Sequence, residues 1–347
     1  MSNAGGTERV LPIIAGGLCA RGHEITVVSL TGSAPTFYPL DERIRLIWLG
    51  SKTLQSNIAG NLARLMRIVR DIRPDVWIDV DYILGVYTGF LKLSHPRMKW
   101  IAWEHFNFYS PFPVNYTLRK HLRPLIARFA DCLVVLSDED AGYYRQNVKI
   151  GKRLERIYNP SPYEDMCPGD HQEKTVVSVG RLTPIKGYDR LIRIWSRLEA
   201  SFPNWQLIVC GGGESADELE AMRREAGLER LHFVGRVNDV PQYYQQASCF
   251  VLTSHAEGFA MVLLEAMTFA LPMIAFDVKA GVRESIIDGE TGFVVPDDDI
   301  DTFADRLALL MRDDALRSRM SQAARASMAR FTTSSILDQW EALLRSL

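Results

Sequence analysis

Short apolar runs alternate with helix-period segments along the chain, and this alternation limits the possible folds more than any other feature. In the first half the runs are rich in β-branched and aromatic residues, and they occupy 24–30, 44–50, 75–80, 99–104 and 132–137. Helical segments lie between several of them, as in 57–72, where the apolar residues recur on one face. The pattern predicts βαβ units and a parallel sheet.

The alternation pauses once, at 158–170, where the segment "YNPSPYEDMCPGD" has the prolines and glycine of a connector. It then restarts, with strand-like runs at 175–180, 205–211, 231–235, 249–254, 272–276 and 292–295. Because 347 residues exceed one ordinary core, we expect two domains. The predicted fold class is α/β, with Rossmann-like, doubly wound domains at 1–163 and 164–330 that face each other across a cleft. A last helix, in 331–347, is expected to pack back towards the first domain.

Composition favours a cytosolic globular protein. The chain is 47% hydrophobic and 24% charged, and it has no run of roughly 18 apolar residues and no cleavable signal peptide. Its five cysteines include no CxxC pair, which is typical of reduced thiols. Residues 1–163 hold 21 Lys and Arg against 14 Asp and Glu, a charge of +7, whereas residues 164–347 hold 19 against 28, a charge of −9. This asymmetry suggests that the two domains meet different partners, although it is also compatible with drift in surface charge.

The first residues depart from the doubly wound pattern. The segment "GGTERVLPIIAGGLCARGH" predicts a glycine turn and then a helix with Thr7 as its cap, weakened by Pro12 and by the pair Gly16–Gly17. A strand should precede that turn, but only Met1–Ala4 do so. We therefore expect either that the start is truncated or that the first strand is absent.

Three segments of the second half have residues suited to an anionic, planar ligand. In "GRLTPIKGYDR" (180–190), Arg181 and Lys186 flank a strand-to-helix turn from which both could reach one anion, unless they are merely solvated cations. The glycines of "CGGGES" (210–215) permit close backbone approach but match neither GxGxxG nor a P-loop. Val237 follows another strand, where main-chain groups could pair with the edge of a heterocycle, or simply form a turn.

Two glutamates are separated by seven residues in "EGFAMVLLE" (257–265). We expect a helix to begin near Ala260, so that its first amides form an anion site. Glu265 lies within the helix among apolar residues, and a buried carboxylate needs donors such as ribose hydroxyls. Glu257 precedes the helix and would meet a group beyond the phosphates. The alternative is one structural glutamate before the helix and one satisfied core glutamate.

The segments together resemble a known family. The order "GGTERV", "ARGHEITVVSL", "GRLTPIKG", "GGGE", "FVGRV", "EGFAMVLLEAM", "ALPMIAF" and "DGETGFVV" is similar to the retaining GT-B glycosyltransferases of family 4 over almost the whole chain. The E-x7-E motif with the upstream R-x4-K is its specific signal. The resemblance implies a nucleotide-sugar donor, with UDP favoured, and no cofactor or metal. It also implies front-face transfer, in which the leaving diphosphate accepts the proton of the acceptor.

The resemblance also implies roles for individual residues. The catalytic group would be Glu257 on the donor sugar, His105 of "AWEHFN" at the reacting centre, and Arg181 and Lys186 on the diphosphate. The remaining donor contacts would come from Gly6, Val237, Gly258, Phe259, Ala260 and Glu265. His105 could otherwise be a core histidine. Asp79 and Asp81 form a DxD, but we interpret them as a strand end and predict no metal site.

The basic first half suggests the acceptor. Arg64, Arg67 and Arg70 recur on one helix, and 100–128 mixes aromatic residues with cations. Such mixtures suit the headgroups of an anionic bilayer. We expect peripheral contact with the inner face of the cell membrane, a glycolipid or polysaccharide acceptor, and no nucleic-acid partner. The alternative is a solvated basic face.

Two other functions compete with this one. A dinucleotide-dependent oxidoreductase is disfavoured because no GxGxxG with a following acid is present. A GT-B module that binds nucleotide sugars without turnover stays open, since the absence of a first strand would weaken the donor site.

Overall fold

The computed structural model describes residues 5–32, 36–110, 116–164, 166–169, 173–279 and 281–347. The chain divides into two compact units. Unit 1 comprises Met1–Pro162 together with Thr332–Leu347, and unit 2 comprises Tyr163–Phe331. The division falls in the proline-rich connector. None of the described helices is both long and apolar enough to cross a lipid bilayer.

Unit 1 contains the alternation predicted for the first half. Its elements in chain order are α1 (Gly6–Ala20), β1 (Thr26–Thr31), β2 (Arg45–Ser51), α2 (Ile58–Ile72), β3 (Val76–Val80), α3 (Gly85–Ser94), β4 (Lys99–Trp103), α4 (Tyr116–Phe129), β5 (Cys132–Val135), α5 (Asp138–Asn147) and β6 (Leu154–Arg156). All strand pairs are parallel. Among the described strands of unit 1, the three-residue β6 alone was not predicted.

The strands of unit 1 form two sheets. One contains β1 and β2, and the other has the order β3-β4-β5-β6. Val28 and Leu30 of β1 and Trp77 of β3 nevertheless pack against the same core cluster beneath α2 and α3. The residues in place of the expected first strand, Met1–Ala4, lie outside the described residues, so its absence stays a prediction.

Unit 2 repeats the pattern around one six-stranded parallel sheet. Its elements are β7 (Thr175–Val179), α6 (Tyr188–Leu198), β8 (Gln206–Cys210), α7 (Ala216–Glu225), β9 (Leu231–Gly235), α8 (Val240–Gln246), β10 (Cys249–Leu252), α9 (Met261–Thr268), β11 (Met273–Phe276), α10 (Val282–Ser285), β12 (Gly292–Val295), α11 (Ile300–Arg312) and α12 (Asp314–Ser327). The strand order is β12-β11-β10-β7-β8-β9. The order reverses between β7 and β10, so their carboxyl ends flank the crevice where ligands of doubly wound sheets bind. The α/β prediction is confirmed.

The last helix, α13 (Thr333–Arg345), belongs to unit 1. The ring of Trp340 lies 4.9 Å from that of Trp103 at the end of β4. The helix α13 also packs against α1, where Arg21 donates to Asp338 at 2.7 Å.

Packing against α13 explains why α1 is continuous although a weakened helix was predicted. A Cβ on Gly17 would lie 2.3 Å from the Leu337 side chain, so the glycine permits close approach of the two helices. Pro12 lies inside α1, and burial of Val10, Ile14 and Leu18 offsets its cost of about 3 kcal/mol. The predicted cap was wrong: Gly5 occupies the N-cap, and no side chain caps the helix.

Candidate active site

The loops that follow β7 and β10 are joined at the switch point of unit 2. The His255 amide donates to the carbonyl of Ile185 at 2.8 Å. Gly187 has a φ of +61°, and a Cβ there would lie 2.1 Å from the carbonyl oxygen of Thr253. Only glycine allows both that backbone conformation and that approach. The "PIKG" turn and the segment before Glu257 therefore form one rigid edge, and α6 begins at Tyr188 as predicted.

Lys186 and Glu257 are brought together at this edge. The Lys186 Nζ lies 2.7 Å from Glu257 Oε1, which also accepts a hydrogen bond from the Ser254 hydroxyl at 2.6 Å. Glu257 is 7% exposed. A carboxylate this buried is costly unless it is paired, and the lysine and serine supply the partners. The sequence placed both residues near one ligand but did not predict their direct contact.

Arg181 stands apart from this pair. Its side chain is exposed, and within the described residues it makes no hydrogen bond or ion pair. The glycines of 211–213 lie behind it: Cβ atoms on Gly211 and Gly213 would lie 1.8 Å and 2.2 Å from the carbonyl oxygens of Gly180 and Leu182. The glycine run thus supports the Arg181 loop by backbone packing, a use that the sequence interpretation did not consider.

The helix that carries the second glutamate begins as predicted. Ala260 is the N-cap of α9, no side chain caps it, and the first intrahelical bond runs from the Leu263 amide to the Ala260 carbonyl. The segment Gly258–Ala260 therefore leads into a helix start whose amides suit an anion.

Glu265 is 5% exposed and lies on the second turn of α9. Its Oε2 accepts a hydrogen bond from the Tyr244 hydroxyl at 2.9 Å. Tyr244 belongs to α8, and its ring stacks on Phe269 at 5.3 Å. The Tyr244 hydroxyl is therefore one of the hydrogen-bond donors that this buried carboxylate needs, whereas the sequence interpretation assigned that role to ribose hydroxyls. Val237 lies half-buried in the loop between β9 and α8.

Sequence reasoning missed Arg190. It is 1% exposed, its guanidinium donates to the carbonyls of Thr253 and Ser254 at 2.7 and 2.6 Å, and it pairs with Asp297 at 2.7 Å. Arg190 thereby holds the chain that presents Glu257. The one available signal was an arginine next to Leu191 and Ile192 on an otherwise buried face of α6.

A cavity of about 340 Å³ lies elsewhere in unit 2. It is lined by residues that include Thr175, Gln206 and Arg230, at the amino ends of β7 and β8. None of the predicted site residues lines it. Because parallel sheets bind ligands at their carboxyl ends, the edge that holds Lys186 and Glu257 is the better candidate.

His105 and Gly6 belong to unit 1. Gly6 is the first residue of α1, and His105 follows β4 with its ring 4.3 Å from that of Trp103. Burial lowers the pKa of His105 to about 3, so the imidazole is neutral at physiological pH. Its Nε2 is buried with no hydrogen-bond partner among the described residues. A neutral imidazole can both donate and accept a hydrogen bond.

An acidic network lies at the carboxyl ends of β3 and β4, next to His105 in sequence. The neighbouring Glu104 accepts hydrogen bonds from the Tyr144 hydroxyl and the Phe106 amide, both at 2.9 Å, and burial raises its pKa to about 8. Asp81, which follows β3, pairs with Arg119. Asp79 is buried within β3 and accepts hydrogen bonds from Trp77, Thr88 and Trp100.

Several of the aromatic and basic residues of 100–128 are engaged within unit 1. Trp100 and Trp103 are each 2% exposed. Arg119 and Arg123 stack over Phe106 and Phe108, at 4.6 and 4.2 Å from the ring centres. These residues therefore pack within unit 1, and a place among lipid headgroups was wrong for the buried Trp100 and Trp103. For the other residues of the segment, membrane contact stays a prediction. Two further aromatic positions, Phe112 and the side chain of Tyr116, lie outside the described residues.

Comparison with known proteins identifies the family and the fold. The family model "Glycosyltransferase Family 4" matches residues 4–162, and the model "Glycosyl transferases group 1" matches residues 168–327. The chain belongs to glycosyltransferase family 4. As a member, it has the expected GT-B fold: the structure of Anabaena HepE with UDP and glucose superposes with a TM-score of 0.85, at 21% identity, over 100% of this chain and 98% of that one.

Two curated relatives of this family member span nearly its full length. The amylovoran biosynthesis glycosyltransferase AmsD of Erwinia amylovora is 29% identical, with coverage of 99% of this chain and 97% of the relative. The second, from Campylobacter jejuni, is named GalNAc-α-(1→4)-GalNAc-α-(1→3)-diNAcBac-PP-undecaprenol α-1,4-N-acetyl-D-galactosaminyltransferase. It is 27% identical, with coverage of 99% and 95%.

Proposed function

We propose that this glycosyltransferase moves a sugar from a UDP-sugar to a glycolipid or polysaccharide acceptor with retention of anomeric configuration. The observation that carries the proposal is the Lys186–Glu257 pair at the switch point, on two loops of which one also holds the exposed Arg181 and the other leads to the uncapped start of α9. Charged groups for a diphosphate and an acid for a sugar hydroxyl therefore lie on one edge. The relatives named above support the acceptor class, and the UDP complex of HepE supports the donor.

The donor would lie along this edge with its diphosphate towards Arg181, Lys186 and the amides of Gly258–Ala260. Glu265 would bind the ribose hydroxyls, and main-chain groups at Val237 would meet the base. When phosphate oxygens engage Lys186, Glu257 loses part of its lysine pairing and accepts from hydroxyls of the donor sugar instead. The bound donor would thus replace the Lys186–Glu257 ion pair by two contacts of its own, phosphate with Lys186 and sugar hydroxyl with Glu257.

The transfer step would form a bond from the acceptor oxygen to the anomeric carbon as the bond from that carbon to the β-phosphate oxygen breaks. The acceptor proton passes to the leaving phosphate. Charge develops on the diphosphate, so Arg181, Lys186 and the helix start stabilise the transition state more than the ground state. These cations take the role that a metal has elsewhere, and we propose that the reaction needs none.

The acceptor would enter from unit 1. Gly6 would approach the phosphates, and His105 would donate or accept a neutral hydrogen bond at the reacting centre. A lipid-linked acceptor would place the enzyme in the cytoplasm, at the inner face of the membrane.

A panel of UDP-, GDP- and ADP-sugars in a thermal-shift assay tests the donor, because a ligand that binds only the folded state raises its stability. Turnover with a lipid-linked oligosaccharide, followed by NMR of the product anomeric proton, tests retention. Activity that is unchanged in EDTA supports metal independence. Binding of UDP-sugars without any cleavage, across varied acceptors, would instead favour the non-catalytic module.

A further inference from the structure

Four large apolar side chains are exposed on two neighbouring helices of unit 1. Phe90 and Leu93 on α3 are 53% and 80% exposed, and Leu125 and Phe129 on α4 are 54% and 62% exposed. Single exposed apolar residues are normal on a protein surface, but a group of this kind on adjacent elements marks an interaction site. The four residues are called the α3–α4 patch below.

The two helices are held side by side. A Cβ on Gly85 of α3 would lie 2.8 Å from the Ile126 side chain of α4. Lys92 of α3 pairs with Asp131, just after α4, at 2.7 Å. Phe90 and Leu93 lie one turn apart on α3, and Leu125 and Phe129 lie one turn apart on α4, on either side of Ile126 in sequence. The helix pair thus presents both apolar pairs outward.

The surroundings of the patch are basic. Between Asp81 and Asp131 the sequence contains seven Lys and Arg residues and a single acidic residue, Glu104. Glu104 is 1% exposed, so it contributes no negative charge to the surface. Lys120 and Arg128 of α4 and Arg97 after α3 are all exposed. The patch therefore combines apolar side chains with cations and lacks the acids that usually accompany them on a solvated helix.

We propose that the α3–α4 patch docks unit 1 on an anionic lipid bilayer, with the four apolar side chains below the headgroups and the cations among them. Aromatic and aliphatic anchors with a cationic rim are the combination that interfacial helices use. Charge complementarity selects a bilayer of anionic lipids over a protein partner, because a bilayer offers dense negative charge over the whole basic surface.

The neighbouring helix α2 is the competing surface, since its arginines suggested membrane contact from sequence. In the structure, Arg64 donates to the carbonyl of Leu49 at 2.6 Å, and Arg70 pairs with Asp71 at 3.1 Å. Two of the three arginines are thus engaged within the unit. The α3–α4 patch rests on the proposed function for its purpose, since a lipid-linked acceptor would be held in the bilayer, but its test does not depend on turnover.

The experiment is co-sedimentation of the whole chain with vesicles of phosphatidylethanolamine and phosphatidylglycerol, and with vesicles of phosphatidylcholine. We expect binding to the anionic vesicles that weakens in 0.5 M salt. Two variants test the patch. The serine variant combines Phe90→Ser, Leu93→Ser, Leu125→Ser and Phe129→Ser and removes the apolar part. The charge variant combines Lys120→Glu and Arg128→Glu. Each should lower partition at least about tenfold.

Each variant has a matched control. Arg67→Glu with Arg70→Glu on α2 is the control for the charge variant. Leu309→Ser, at an apolar residue of unit 2 that is 38% exposed, is the control for the serine variant. Both should bind vesicles to within about twofold of the parent chain. Thermal unfolding and UDP binding, measured on the same preparations, separate loss of docking from loss of folding and from failure of the proposed function.

Equal vesicle binding by the serine variant and the parent chain would overturn the proposal. So would loss of binding in the α2 variant alone, or concentration-dependent self-association that the serine variant abolishes while vesicles bind neither protein. Vesicle binding without any UDP binding would leave the docking surface supported and the proposed donor rejected.

Discussion

The Lys186 Nζ lies 2.7 Å from Glu257 Oε1, so the cation proposed for the diphosphate and the acid proposed for the sugar neutralise each other. A ligand phosphate must compete with the carboxylate for the lysine. Replacing Glu257 by Ala therefore removes a competitor, and we expect UDP affinity to stay equal or to rise up to about tenfold. Turnover should fall by at least about a hundredfold, because the donor sugar loses its acceptor group.

Calorimetry with UDP and a steady-state assay check this separation. Ser254→Ala is the control for the loop, since it removes only the hydroxyl that donates to Glu257 at 2.6 Å. A Glu257→Ala chain that loses UDP affinity as strongly as turnover would show that the glutamate organises the phosphate site.

Replacing Arg181 or Lys186 by Ala should weaken binding of UDP about 10- to 100-fold each, the usual contribution of a charge-assisted contact. Affinity for uridine, which has no phosphate, should change less than threefold. Calorimetry with the two ligands gives the comparison. Arg224→Ala, an exposed arginine on α7 that pairs with Glu220, serves as the control and should affect neither ligand. Parallel losses for UDP and uridine would remove the diphosphate assignment.

How much of this site the sequence predicts depends on how far apart in sequence the interacting residues lie. Strands and the start of α9 were predictable, because apolar periodicity and cap position are local properties. Arg190 was not, because its partners at Thr253, Ser254 and Asp297 are more than sixty residues away in sequence. Trp100 and Trp103 were misassigned for the same reason: composition does not distinguish a buried Trp103 from an exposed one, whereas packing against Trp340 does.

Glu265→Gln should weaken binding of UDP and of uridine to the same extent, by about tenfold or more, since both ligands contain the ribose. Tyr244→Phe removes only the hydroxyl that donates to Glu265 at 2.9 Å and keeps the ring stacked on Phe269. We expect it to have a smaller effect on both ligands. Calorimetry on the two variants decides the point, and a loss confined to UDP would contradict the ribose role.

Gly187→Ala should be far more destabilising than Gly227→Ala. Both glycines have positive φ, +61° and +67°, so each alanine costs about 1–2 kcal/mol of backbone strain. Only at position 187 does the new Cβ meet a backbone atom, the Thr253 carbonyl at 2.1 Å. We expect an additional cost of about 2 kcal/mol or more and loss of UDP affinity, because the Lys186 turn must move. Urea unfolding of both variants measures the difference, and equal destabilisation would show that the two loops are not rigidly joined.

Glu104→Gln should make the stability of the chain less dependent on pH. Burial raises the pKa of Glu104 to about 8, whereas the same group titrates near 4.3 in an unfolded chain. Between these values the folded protein holds a proton that the unfolded chain has released, so stability falls as pH rises, by up to about 1.4 kcal/mol per pH unit. Gln cannot ionise and removes this contribution, so the free energy of unfolding of the variant should rise relative to that of the parent chain as pH increases from 5 to 8. Asp79 and Asp140, whose pKa values burial raises to about 7, would leave a residual slope of the same sign. Urea unfolding at pH 5.5 and pH 8 gives the slopes, and an unchanged slope in the variant would mean that Glu104 is ionised in the folded protein.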